Sequence, residues 1–226
     1  MDLKYITYSE LLCSKLALLG FKRKNRAEFI RKQNGFNQMI SYCHSSRIPH
    51  VRDYYIIIGL YYPEVEKMGM DLDVYTTGAW GMNIGYLTPQ KNFKEWRVEN
   101  SASEDDIREV VNDMVNLIET YAVPFLDRYS EVNELIYELE VGTLLIPHHS
   151  DYNLPLLYLL IGEKENAISV LDREQKRKEL IFKNSNKDCP PEAQSNNDSY
   201  VSPAEREYKA YKEFADKLLT RIEQLG

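Results

Sequence analysis

Cysteine is scarce in this chain of 226 residues: Cys13, Cys43 and Cys189 are odd in number and share no regular spacing. That excludes the disulfide framework of a small secreted domain and suits a reducing compartment. Long apolar runs are missing too. The longest, Leu154–Ile161, falls far short of the roughly 20 residues that cross a bilayer, so no membrane partner is expected. The opening residues, MDLKYITYSELL, lack the charged start, apolar centre and small-residue cleavage site of a signal peptide, which gives the cytoplasm as the expected location. Gly78, Gly81 and Gly85 fit neither the dinucleotide fingerprint nor a phosphate-binding loop; they read as bulges or as points of close backbone approach. No serine stands in a nucleophile elbow and no cysteine has an evident base beside it.

Excess positive charge is the last absence. The formal net charge of −7 argues against general nucleic-acid binding, which needs clustered Lys and Arg to neutralise phosphates. The charge is uneven, however. Phe21–Lys32 carries six basic residues against one acid, Glu28, whereas Glu99–Glu140 carries twelve acids against Arg108 and Arg128. Solvated faces and a docking surface both produce such runs.

What is present is a strand-rich centre. Asp53–Tyr62 reads DYYIIIGLYY, a run of β-formers between turn signals. Tyr54, Ile56, Ile58, Leu60 and Tyr62 fall on one face, and Tyr55, Ile57, Gly59 and Tyr61 on the other. Both faces are apolar, so the strand is expected to lie centrally with cover on both sides.

Around it, a helix is expected from near Asp2 to Leu19, stopped by Gly20, followed by strands at Phe21–Lys24, Glu28–Gln33 and Phe36–His44. Asn34-Gly35 is the clearest hairpin signal. Pro63 ends the central strand, Glu64–Asp73 reads as a loop or a single helical turn, and further strands fall at Thr77–Leu87 and Glu95–Glu99. Ser103 caps a long acidic helix that Pro124 ends, with Ile107, Val111, Met114 and Ile118 on its stripe. Ser130–Glu140 is a shorter helix. Beyond Gly142 come a helix, a tight turn and a helix, a polar loop at about residues 183–201, and a capped final helix whose Tyr208, Tyr211 and Phe214 must dock. The expected class is therefore α+β: an antiparallel sheet of five or six strands with helices over residues 1–142, and a helical extension over 143–226 that packs back on it.

Three pieces, Gly20-Phe21-Lys22, Asn34-Gly35 and Pro124-Phe125-Leu126-Asp127, stand within longer matching runs. Through them, residues 3–142 resemble the bacterial domain-of-unknown-function family 4304. The resemblance implies a helix, an antiparallel sheet and then helices, and carries no activity. Gly81-Met82-Asn83 departs from it, where a more basic strand is expected, as does the extension past Gly142.

Candidate metal ligands are thin. His148-His149-x-Asp151 lacks a third ligand at the right spacing, and Cys43 and His44 are consecutive on a strand and point to opposite faces. No metal and no cofactor are expected. Aromatics are abundant, with seventeen tyrosines plus Trp80 and Trp96. Tyr55, Tyr61 and Trp80 form the candidate ligand surface, with Arg47 and Arg52 on the adjacent loop favouring an anionic group. The reading is a non-catalytic binding or interaction module, of immunity or regulatory type, with another protein or peptide as partner. The alternative is a small enzyme with a site at Arg47, His50, Arg52 and Asp53, which requires a histidine to meet a carboxylate in a cleft.

Overall fold

The computed structural model describes residues 3–73, 79–129, 131–141, 150–185 and 202–224. They form two units, one of residues 1–63 and 79–146, the other of residues 64–78 and 147–226.

The first unit is built on an antiparallel sheet. Helix α1 (Leu3–Leu18) ends at Gly20, whose φ of 84° is the left-handed stop that glycine supplies. Strands β1 (Lys22–Arg23), β2 (Glu28–Lys32), β3 (Asn37–Ser45) and β4 (Val51–Tyr61) follow, with Gly35 at φ 84° in the β2–β3 turn. Strands β5 (Ala79–Asn83) and β6 (Trp96–Glu99) complete the sheet. The order is β1-β2-β3-β4-β5, and β6 pairs with β4 alongside β5: β5 takes Ile57–Tyr61 and β6 takes Val51–Tyr54. The central strand is central, as its composition demands.

One face of this sheet is fully covered. Tyr54, Ile56, Ile58 and Leu60 of β4, Gln38, Ile40 and Tyr42 of β3, Trp80 and Met82 of β5, and Trp96 and Val98 of β6 are each no more than 8% exposed. Helix α1 reaches it through Tyr8, whose ring lies 4.6 Å from Tyr54, itself stacked on Tyr42 at 5.3 Å. Helix α3 (Glu104–Leu117) opens with a capping box between Ser103 and Asp106, and its Asp113 accepts the Trp96 indole N–H at 2.6 Å.

Pro124 does not end this helix. A π-turn at Ile118–Ala122, in which the Val123 N–H reaches back to the Ile118 carbonyl, leads directly into α4 (Val123–Arg128). The widened turn relieves the clash a proline ring makes inside a regular helix, and the axis runs on. Gln38, wholly buried, donates from Nε2 to the Leu126 carbonyl at 2.9 Å and so ties α4 to the sheet. Helix α5 (Val132–Val141) is linked to α4 by the Arg128–Glu138 ion pair.

The second unit is helical. Pro63 opens α2 (Pro63–Asp71), a nine-residue helix where the sequence suggests a loop or one turn; proline at a first helical position costs no hydrogen bond. Helices α6 (Ser150–Leu160), α7 (Lys164–Ser185) and α8 (Pro203–Gln224) follow. Tyr211, Phe214, Leu218 and Ile222 of α8 are buried, and Tyr152 of α6 meets Tyr211 and Phe214 at 5.1 and 5.0 Å. Tyr208 stacks on Phe182 of α7 at 5.7 Å, and Arg221 pairs with Asp71 at the end of α2. The expected polar loop falls largely outside the described residues.

Candidate functional site

The other face of the sheet differs in kind. Strand register lays it out in rows. Lys32, Asn37 and Tyr61 form one row, and Lys22, Ile30, Met39, Gly59 and Gly81 the next. Glu28, Ser41, Ile57 and Asn83 form the third, followed by Cys43 with Tyr55, and then Ser45, Asp53 and Arg97. Ile30, Met39, Ile57, Tyr55 and Tyr61 are half-buried here, in contrast to the sealed opposite face. Gly59 and Gly81 stand opposite each other because the backbones approach closely: a Cβ on Gly59 would lie 2.2 Å from the Trp80 carbonyl oxygen.

The rim at the β6 end is polar. Asn83, 3% exposed, accepts from the Gly85 and Lys94 N–H groups at 2.9 and 2.8 Å and donates to the Lys94 carbonyl at 3.0 Å. That clamp folds the β5–β6 connection so that Phe93 lies 5.4 Å from the Tyr55 ring. Asp53 is 1% exposed and accepts from Arg97 Nε at 3.0 Å; Glu95 sits 3.7 Å from Arg97 and 3.8 Å from Arg47. The hydrogen bond to Asp53 holds the Arg97 pKa above its ordinary value. Burial pushes the Cys43 thiol up despite its hydrogen bond to Tyr55, and burial raises the Tyr55 phenol as well. Cys43 is thus poorly suited to act as a thiolate nucleophile.

Of the sequence candidates, Arg47, Tyr55 and Tyr61 share this side of the sheet. Tyr55 and Tyr61 are six residues apart on β4, hence about 20 Å along it. Trp80 does not join them. It pairs with Leu60, is 3% exposed and packs edge-on against Tyr62 at 5.4 Å, so it belongs to the core of the covered side. Arg52 pairs with Val98 on that same side, away from Arg47. A groove walled by Tyr61 and Trp80 is therefore ruled out by register: a residue and its neighbour's pairing partner cannot share a face. Gly78 lies outside the described residues.

The enzyme reading asked for His44 or His50 against a carboxylate in a cleft. Both are exposed, His50 in a left-handed turn at φ 66°, and among the described residues His50 has no ion pair; Asp53 is engaged by Arg97 instead. Among the described residues no three His, Cys, Asp or Glu side chains converge to hold a metal ion. His148 and His149 lie outside the described residues, and Asp151 is paired with Arg177 and Lys178 at 2.7 Å each. No helix among the described residues is long and apolar enough to cross a membrane.

Sequence reasoning missed Arg97, Glu95 and Phe93. Arg97 had a signal, since Trp96 and Val98 flank it in period-two alternation and turn it outward. Phe93 had none, because its position depends on the Asn83 clamp eleven residues away from Lys94.

The second unit has a cleft of its own, about 570 Å³, lined by Asp151, Tyr152, Lys178, Arg206 and Glu207 among others. Lys178 is 4% exposed; its ammonium bonds Asp151 and Glu207 at 2.7 and 2.6 Å beside the Tyr211 ring at 5.2 Å. Burial disfavours its charge, but the two carboxylates outweigh that and leave the pKa raised. An ammonium held charged in this way is a fixed cation joining α6, α7 and α8, not a nucleophile. Comparison of the chain with protein-family models, with curated proteins and with solved structures gives no match.

Proposed function

We propose that the chain is a non-catalytic interaction module of a bacterial cytoplasm, of immunity or regulatory type, whose docking surface is the half-buried second face of the sheet with its Arg47–Glu95–Arg97 rim. The resemblance of residues 3–142 to family 4304 is part of this reading and assigns no chemistry that would compete with it.

One observation carries it. The two faces of a single strand are treated differently: Ile58 is fully buried while its neighbour Ile57, with Ser41 and Asn83 beside it in register, is half-buried. A sheet face whose apolar side chains are left part-open beside a polar rim is the kind of surface on which partners dock. Rigid tyrosines with hydroxyl handles, placed on strands and not on loops, are well suited to such contacts.

The test is affinity purification from the native host with wild type beside a Met39→Ala, Tyr61→Ala variant matched in melting temperature. A partner captured by wild type and lost by the variant is the expected result. Identical partner sets for the two proteins would remove the reading.

A further inference from the structure

The second face is apolar at its centre and positively charged at one end. Lys22 and Lys32 close two of its rows, and Lys24 lies 5.8 Å from the Tyr61 ring centroid. The carboxylate among them, Glu28, is paired with Lys24 at 3.2 Å and accepts a hydrogen bond from the Asn25 amide at 2.7 Å. Among the described residues neither Lys22 nor Lys32 has a carboxylate partner, and both are exposed. The hairpin that presents them is held firmly: Asn25 Oδ1 accepts the Ala27 and Glu28 N–H groups at 2.8 and 2.9 Å, and Arg23 bonds Ser9 of α1.

A run of acids lies on the other side of the sheet. Helix α3, with Glu104, Asp105 and Asp106 in its first turn, packs on the covered face through the Trp96–Asp113 bond. In a chain with a net charge of −7, Lys22 and Lys32 therefore stand beside a half-buried apolar face with no carboxylate partner among the described residues. At an exposed rim such charges act chiefly by choosing partners of opposite sign and rejecting those of like sign.

Resting on the docking reading above, we infer that the segment received by this face is an acidic amphipathic polypeptide, its carboxylates over Lys22, Lys24 and Lys32 and its apolar side chains over Met39, Ile57 and Tyr61. Gly59 and Gly81 face each other across β4 and β5 between Ile57 and Tyr61 and add no side chain of their own to this part of the face. A nucleic acid would meet the same cations, but the rim at the far end of the face carries Asp53, Glu95 and Glu99, which oppose its phosphates.

The experiment uses the full chain and three fluorescein-labelled synthetic peptides: one mixing Glu with Phe and Leu, one with Gln in place of every Glu, and one with Lys. Fluorescence anisotropy at low salt is expected to show the Glu peptide binding about tenfold tighter than the Gln peptide, as two or three exposed ion pairs would give, with the Lys peptide weakest. Raising the salt should erase the preference. Lys22→Glu with Lys32→Glu should abolish it while leaving the Gln peptide unchanged, and Tyr61→Ala should weaken Glu and Gln peptides alike. Equal binding of Glu and Gln peptides overturns the acidic partner and leaves the docking reading standing. So does binding by none of the peptides while the Tyr61-dependent partner is still captured from the host. Tighter binding of an oligothymidylate, or self-association lost in the Lys22→Glu, Lys32→Glu variant, overturns it in favour of nucleic acid or of a second copy.

Discussion

Ile57 and Ile58 are adjacent, chemically identical and placed on opposite faces of β4, so truncating each to alanine measures the cover on each face separately. Ile58 is fully buried and borders a void of about 10 Å³ shared with Leu60, Trp80, Met82, Phe125, Tyr129 and Leu135. Losing three carbons there forfeits about 2.4 kcal/mol of transfer free energy at about 0.8 per methylene. The enlarged cavity adds to that, because its walls are anchored to strands and to α4 and α5 and cannot collapse; the expected total is about 4 kcal/mol. Ile57 is half-buried, so about half the transfer energy is lost and water fills the space, giving about 1 kcal/mol. Both tryptophans of the chain, Trp80 and Trp96, belong to the first unit, so their fluorescence in a urea titration follows this unit alone even if the chain does not unfold in one step. The predicted gap between the variants is about 3 kcal/mol. A gap under about 1 kcal/mol would mean that the two faces are equally sealed, and the docking surface would be lost with it.

Three further outcomes follow from other contacts. Gly59→Ala would press a methyl group against the Trp80 carbonyl at 2.2 Å, so β5 must shift, at a cost of about 2–3 kcal/mol in the same titration; a cost below about 0.5 would refute the close approach. Gln38→Leu strands the Leu126 carbonyl and the Arg31 Nε that now donates to Gln38 at 2.5 Å, and should cost the first unit about 2 kcal/mol; a neutral effect would show those groups finding water. Lys178→Met should shift the stability of the second unit, followed by helical circular dichroism, by no more than about 1.5 kcal/mol, because Asp151 keeps Arg177 and Glu207 is 62% exposed. The Lys178 pKa is raised on folding, so its contribution is complete below the unfolded pKa of about 10.4 and fades only above it. The difference from wild type should therefore be flat from about pH 6 to 9, and a slope within that window would contradict the assignment.

Local chemistry made much of the fold legible. Gly20 and Gly35 take the positive φ their positions demand, the Ser103–Asp106 capping box forms, and Phe36, Gln38, Ile40 and Tyr42 share the buried face that period-two alternation gives them. Pro63 ends β4 as expected, but the stretch that follows it and the end of α3 differ from expectation for one reason. Pro63 begins a helix and Pro124 sits beyond a π-turn, and in both places the missing N–H is one the local hydrogen-bond pattern does not need. Arg31 lies over the Phe21 ring at 5.0 Å and pairs with Asp127, a long-range link that neither stretch announces by itself.

The candidate site was less legible. Trp80 alternates with Met82 in sequence, but which face that pair joins is fixed by the pairing of Trp80 with Leu60, and register is a long-range property. The Arg47–Glu95–Arg97 rim depends likewise on β6 returning to β4 and on the Asn83 clamp, neither of which leaves a local mark in the sequence.

Site-specific photocrosslinking in the native host tests the central claim most directly. A photoreactive phenylalanine is placed at Tyr61 on the second face, or at the exposed Asn112 of α3 over the opposite side. Discrete adducts from position 61 and none from position 112 are what a docking face on the sheet predicts. Adducts from position 112 with none from position 61 would place recognition on the helices and contradict it.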